Sequence, residues 1–227
     1  MEFVKLANGL ETPRVFFGTY RVTDTHSMEE VLQKAYACGY RSFDSASFYQ
    51  NEQAIGDAFR SMDVMDLLTT KVWNDVEGYD AVLRAFEESE KKLGKIDIYL
   101  LHWPAREFLS RWKALEDLYA AGRVRAIGVS NFKKHHLEEL EKHSKVRPMI
   151  NQIEAHGYFM DEETVAYCRE KGIALQAWRP LMRTGNMLEN ADIQKIGQKY
   201  GKSAAQVALR YLIQRSFTVI PKSVHLE

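Results

Sequence analysis

The chain has 227 residues, and Lys plus Arg and Asp plus Glu balance at 31 each, so its formal net charge is zero. That balance leaves no basic footprint for nucleic acid and no acidic tail for a charged partner. No apolar run approaches the ~18 residues that a membrane span needs, and hydrophobic residues at 45% are enough for a substantial core. The opening MEFVKLANGLETP lacks the basic and then apolar regions of a secretory signal. Cys38 and Cys168 are too few for a disulfide framework, and each falls in a helical pattern, so both read as buried thiols of a reduced compartment. The expectation is a cytoplasmic, globular protein with no membrane partner.

In chain order, EFVKLANGLETP reads as a hairpin turned at Asn8-Gly9. VFFGTY (15–20) follows as a strand, then the helical SMEEVLQKAYACG, where Ser27 and Glu30 form a capping-box pattern and Gly39 stops the helix. RSFDS precedes a helical NEQAIGDAFR, and DLLTTK (66–71) precedes YDAVLRAFEESEKKLG, with apolar residues at 82, 83, 86 and 93. IDIYLLH (96–102) is almost continuously apolar, the mark of a strand buried on both faces. The alternation continues through VRAIGVS, MINQIEA and IALQAW, each with a helical stretch behind it, and ends at FTVIPK (217–222).

Eight strand candidates, seven of them followed by helix, predict a parallel sheet. The count and the lack of any Pro/Gly/Ser-rich linker favour a (β/α)8 TIM barrel spanning 1–227 as one α/β domain. An open doubly wound sheet would want GxGxxG after its first strand, and FFGTYRVTD does not supply it.

In such a barrel the chemistry lies at the carboxyl ends of the strands. The second strand ends at Asp44 with Tyr49 just beyond, the third at Lys71, and the fourth at His102. Singly, each has a structural reading: a capping acid, an edge lysine, a packed histidine. Together they make an acid for carbonyl reduction, because hydride arriving at C=O leaves an oxygen that needs a proton. A phenol near its usual pKa of about 10 is a poor donor at neutral pH. An ammonium about 4 Å away, at an effective dielectric near 20, interacts by roughly 4 kcal/mol. This predicts a phenol pKa lowered by roughly one or two. Asp44 would hold Lys71, and His102 would orient the substrate oxygen.

FDSASFYQNEQAIG, LLTTKVW, YLLHWP, VRAIGVSNF, NQIEAH, LQAWRPL and VIPKSV, in this order, resemble the aldo-keto reductase family from the hairpin to residue 225. The closest likeness is to small reductases of the aldose reductase, prostaglandin F synthase and diketogluconate reductase type. The resemblance implies NADPH-dependent reduction of aldehydes or ketones, with the catalytic tetrad on Asp44, Tyr49, Lys71 and His102. It implies that Ser130, Asn131 and Gln152 hydrogen-bond the nicotinamide carboxamide and that Trp178 stacks on the ring. Lys222 and Ser223 would meet the 2′-phosphate, favouring NADP(H). Gly18, Thr19 and Leu181 complete the cofactor contacts, and Tyr20, Phe48, Trp73 and Trp103 form an apolar wall around a small carbonyl substrate. His156 reads as structural, and no metal is expected.

The family's WSPL is here WRPL, and Arg179 either adds a phosphate contact or fills space the pyrophosphate needs; the sequence leaves both open. The stop at PKSVHLE predicts that the 2′-phosphate arginine, the eighth outer helix and the C-terminal loop are absent. Without that helix, an apolar stripe on the first and last strands is expected to stand uncovered. A monomer is expected. The alternative function is a truncated or non-catalytic barrel acting as a cofactor-binding or interaction protein.

Overall fold

The computed structural model describes residues 2–22, 25–64, 66–182 and 187–223, and the side chains of all of these but 25 and 26. Residues 224–227, which carry the end of the VIPKSV motif, lie outside the described residues.

Strands β1 (Phe3–Lys5) and β2 (Glu11–Pro13) pair antiparallel, Val4 opposite Thr12. Their turn places Gly9 at φ +89°, where a side chain would be strained. The Asn8 side chain accepts from the Leu10 amide and donates to the Arg125 carbonyl, tying the hairpin to the main body.

The main body alternates strand and helix, as the apolar runs predicted. Its strands are β3 (Phe17–Gly18), β4 (Ser42–Asp44), β5 (Leu67–Val72), β6 (Ile98–Leu101), β7 (Ala126–Ser130) and β8 (Ile150–His156). A short β9 (Phe159–Met160) folds back antiparallel on β8, and β10 (Ala174–Trp178) and β11 (Phe217–Ile220) follow. From β3 to β11 the neighbours pair parallel in the order β3-β4-β5-β6-β7-β8-β10-β11. The circle closes where Val15 bridges Val219, with the Phe16 amide on the Val219 carbonyl at 2.9 Å and the Gly18 amide on the Pro221 carbonyl at 2.9 Å. This is an eight-stranded parallel (β/α)8 barrel.

Outside it lie α1 (Thr25–Ala37), α2 (Glu52–Met62), α3 (Tyr79–Leu93), α4 (Phe108–Ala120), α5 (Lys134–His143), α6 (Glu162–Glu170), α7 (Ala191–Tyr200) and α8 (Ala204–Gln214). Their ends follow from local chemistry. Asp161 and Asn190 accept amides of the first turns of α6 and α7, and Ser203 with Gln206 closes a reciprocal cap on α8. Gly94 ends α3 at φ +85°, its amide on the Glu90 carbonyl at 2.7 Å. Among the described residues no helix is long and apolar enough to cross a membrane. Among the same described residues no helix follows β11, and no group of three or more His, Cys, Asp or Glu could hold a metal ion.

Four expectations change. Helix α1 begins at Thr25, so Ser27 is inside the helix instead of capping it. Cys38, just beyond the last turn of α1, is exposed, whereas Cys168 is buried. The first strand is two residues long, because Thr19 turns off the sheet to give its amide and hydroxyl to the Asp44 carbonyl. The first and last strands show no uncovered stripe: Phe16, Phe217 and Val219 are fully buried and Phe17 nearly so.

Candidate active site

The carboxyl ends of the strands surround a cavity of about 550 Å³. At its floor, β4 ends on Asp44 and the chain makes a short 3-10 turn, Ser47–Tyr49, that lifts the phenol to the mouth. The Ser47 hydroxyl donates to the Lys71 carbonyl at 3.0 Å, so the turn is anchored on β5. Asn51, itself buried, donates to the carbonyls of Thr19 (2.8 Å) and Val22 (2.9 Å) and accepts from the Ser45 hydroxyl (2.9 Å). It therefore ties the loop carrying Tyr20 and Arg21 to the end of β4.

Lys71 is wholly buried beneath the cavity, and its Nζ donates to Asp44 Oδ1 and to the Ser45 carbonyl, both at 2.7 Å. An ammonium has three protons, and Nζ lies 5.2 Å from the centroid of the Tyr49 ring. His102 closes the group, its ring 5.8 Å from that of Tyr49 at 76°.

Electrostatics corrects one expectation. Burial pushes the Tyr49 phenol above its usual range, and the opposing pull of Lys71 is the smaller effect, with Asp44 adding to the rise. Lys71 goes the other way: burial disfavours its charge, but Asp44 and Tyr49 more than offset it and its pKa is raised. His102 is pushed down to about 2 by burial and then by the charges of Lys71 and Arg111, so it is neutral. The phenol and the neutral imidazole thus line the cavity, with the Lys71 ammonium buried behind them.

On the opposite side of the cavity, Ser130, Asn131, Gln152 and Trp178 are all present but are bonded to one another. Trp178 Nε1 donates to Asn131 Oδ1 at 2.9 Å, while Asn131 Nδ2 donates to the His102 carbonyl and the Ser130 hydroxyl. Ser130 donates to the Gln152 carbonyl at 2.9 Å. Gln152 Nε2 donates to Asp44 Oδ2 at 2.8 Å and to Gln176 Oε1 at 3.2 Å. The expected carboxamide donors are therefore a protein-internal chain that runs from the indole to the Asp44 carboxylate. Arg179 lies over the Trp178 ring at 5.0 Å and faces Glu154 Oε1 at 3.6 Å, on backbone at φ +50°.

Phe48 stacks on Trp73 at 3.9 Å, and Trp73 meets His102 edge-on at 4.9 Å; Tyr20 packs on Tyr49 at 4.9 Å. With Trp103 they line the cavity, as do Gly18, Thr19, Leu181 and Lys222. Ser223 is exposed and is not among the lining residues. Arg21, Met182, Ile220 and Pro221 also line it and were not singled out from sequence. Arg21 had one signal, a cation directly after Tyr20, and its φ of +64° turns it to the rim. Burial and then Arg21 lower the Lys222 pKa.

The model of the Aldo/keto reductase family matches residues 14–227. The glyoxal reductase of Bacillus subtilis (strain 168) is 43% identical, aligned over 97% of this chain and 82% of its own length. The 9,11-endoperoxide prostaglandin H2 reductase of Trypanosoma cruzi (strain CL Brener) is 42% identical over 98% of this chain and 81% of its own. A crystal structure of an aldo-keto reductase complexed with NADPH superposes with a TM-score of 0.92 at 30% identity, covering 99% of this chain and 80% of that one.

Proposed function

The chain belongs to the aldo/keto reductase family, and from that premise we propose that it reduces small aldehydes and ketones to alcohols with NADPH, Tyr49 acting as the general acid. The observation that carries the reading is the buried Lys71–Asp44 pair beneath Tyr49 and beside neutral His102, at the mouth of an aromatic-walled cavity.

The residues present fit a phosphorylated dinucleotide. Arg21, Arg179 and Lys222 put three cations on the cavity wall. A Cβ at Gly18 would come within 3.1 Å of Ile220 Cγ2 and 3.4 Å of the Pro221 carbonyl, so glycine keeps that wall open. Trp178, anchored through its indole nitrogen, offers a fixed face to a flat ring. Arg179, drawn to Glu154 and Trp178, is read as part of the wall that accepts phosphate.

When bound, the reduced nicotinamide supplies the hydride. The chain's own residues do the rest. His102 donates a hydrogen bond to the carbonyl oxygen and holds it beside Tyr49. The raised phenol pKa keeps the acid loaded at neutral pH, and the alkoxide that forms on carbonyl reduction is basic enough to take its proton. Lys71 then stabilises the tyrosinate, and Asp44 keeps Lys71 in position.

The test is NADPH consumption with glyoxal and with 4-nitrobenzaldehyde. Turnover is expected, and Tyr49→Phe should lower kcat by about 10²- to 10⁴-fold with the fluorescence titration of NADPH unchanged. Unchanged turnover in Tyr49→Phe would remove Tyr49 as the acid. Tight NADPH binding with no turnover of any carbonyl would favour a non-catalytic cofactor-binding protein.

A further inference from the structure

Arg111, on α4, is fully buried. A guanidinium offers five N–H donors, yet Nη2 of Arg111 donates to the Trp73 carbonyl at 2.8 Å while Nε and Nη1 have no partner among the described residues. Two other buried polar atoms of the same region are also unpartnered: the Tyr99 hydroxyl on β6 and Nδ1 of His102. Burying a cation with unmet donors is costly, and a chain that does so beside an imidazole needs a reason.

The charged and titratable groups around these atoms are few. Tyr99, and Asp75 and Glu77 on the loop after β5, act on the guanidinium, and Glu52 from α2 acts on Tyr99. Lys71 and Arg111 both act on His102, and the Tyr49 ring stands 5.8 Å from it. Among the described residues two cations and no carboxylate bear on the buried imidazole, which stays neutral and must choose where to carry its single ring proton.

We infer that Arg111 is a positioning residue for His102: one of its unpartnered buried N–H groups reaches the unpartnered Nδ1 across one water, and its bond to the Trp73 carbonyl holds the indole edge-on against the imidazole. The partner of one ring nitrogen decides the tautomer. With Nδ1 buried and accepting, the proton resides on Nε2, the nitrogen left to meet the cavity that His102 lines. A neutral Nε2–H is the form that donates to a carbonyl oxygen. The use of this tautomer rests on the proposed reduction; its existence does not.

The test is long-range 1H–15N correlation spectroscopy on the 15N-labelled full chain from pH 8 to 5, with His102 assigned by loss of its signals in His102→Asn. The wild type should show the neutral Nε2–H tautomer throughout. In Arg111→Met, which replaces the cation by an apolar side chain of similar reach, His102 should show mixed tautomers or protonate within the window. In the same variant kcat should fall about tenfold, less than loss of the acid–base group itself would cost, with NADPH affinity unchanged. Arg111→Lys, which keeps the charge and N–H donors, should keep the tautomer, and Arg111→Leu, which like methionine has no donor, carries the same test if the methionine variant does not fold. An Nδ1–H or charged His102 in the wild type would overturn the inference. So would an unaltered tautomer in Arg111→Met, even with kcat reduced, because that pattern belongs to packing alone. An inactive wild type whose Nε2–H tautomer depends on Arg111 would sink the proposed reduction and leave the inference standing.

Discussion

Replacing Lys71 by methionine tests the centre of the site through folding energy as well as turnover. Lys71 Nζ and Asp44 Oδ1 are 2.7 Å apart, and their side chains are 0% and 4% exposed. At an effective dielectric near 20 their attraction is about 6 kcal/mol, most of it offset by the cost of burying both charges. Removing one partner loses the attraction and keeps the other's burial cost. In Lys71→Met, Asp44 retains the Gln152 donor at 2.8 Å but no cation, so the expected destabilisation is about 3–5 kcal/mol. Adding Asp44→Asn removes the stranded charge, and the double variant should be more stable than the sum of the single losses by about 2–3 kcal/mol. Urea unfolding followed by the fluorescence of the four tryptophans measures all three variants. The raised Lys71 pKa means that its contribution is complete below the usual lysine value and is lost only as pH climbs through the folded one, so neutral buffer is the right condition. Costs that simply add, to within about 0.5 kcal/mol, would refute the coupling from which the proposed chemistry starts.

Three further outcomes follow from the same geometry. Because burial raises the Tyr49 pKa, the acid keeps its proton through neutral pH; kcat/KM for carbonyl reduction should fall only above about pH 10, and a midpoint well below that would show that Lys71 dominates. His102 is held to about 2 when folded, so below its usual value of about 6.5 the unfolded chain takes up a proton that the folded chain refuses. Stability should then drop by about 1.4 kcal/mol per pH unit, or about 2 kcal/mol at pH 5; wild-type and His102→Gln melts that fall in parallel with acid would exclude this. A Cβ at Gly56 would lie 2.0 Å from the Lys92 carbonyl, so Gly56→Ala should cost about 2–3 kcal/mol by prying α2 from α3, and an unshifted melting temperature would mean that the helices yield freely.

Local chemistry was legible along the chain. Runs such as IYLL, buried at every position, and turn glycines such as Gly9 and Gly94 depend on residues a few places apart, so the strand–helix alternation and the barrel followed from spacing. So did the meeting of Asp44, Tyr49, Lys71 and His102, because a parallel barrel gathers the carboxyl ends of its strands at one rim. What the tertiary structure alone decided is the balance of burial and charge at that rim. The direction of the Tyr49 shift depends on how deeply the phenol is enclosed, which no nearby residue reveals. Asp44 takes its second donor from Gln152, 108 positions away, and Asn131 is occupied by an indole 47 positions away. Arg111 stands between Ser110 and Trp112 on α4, and neither neighbour shows that folding buries its guanidinium completely. Periodicity is set by the backbone and by adjacent side chains, whereas the energy of a charge is set by everything that folding packs around it.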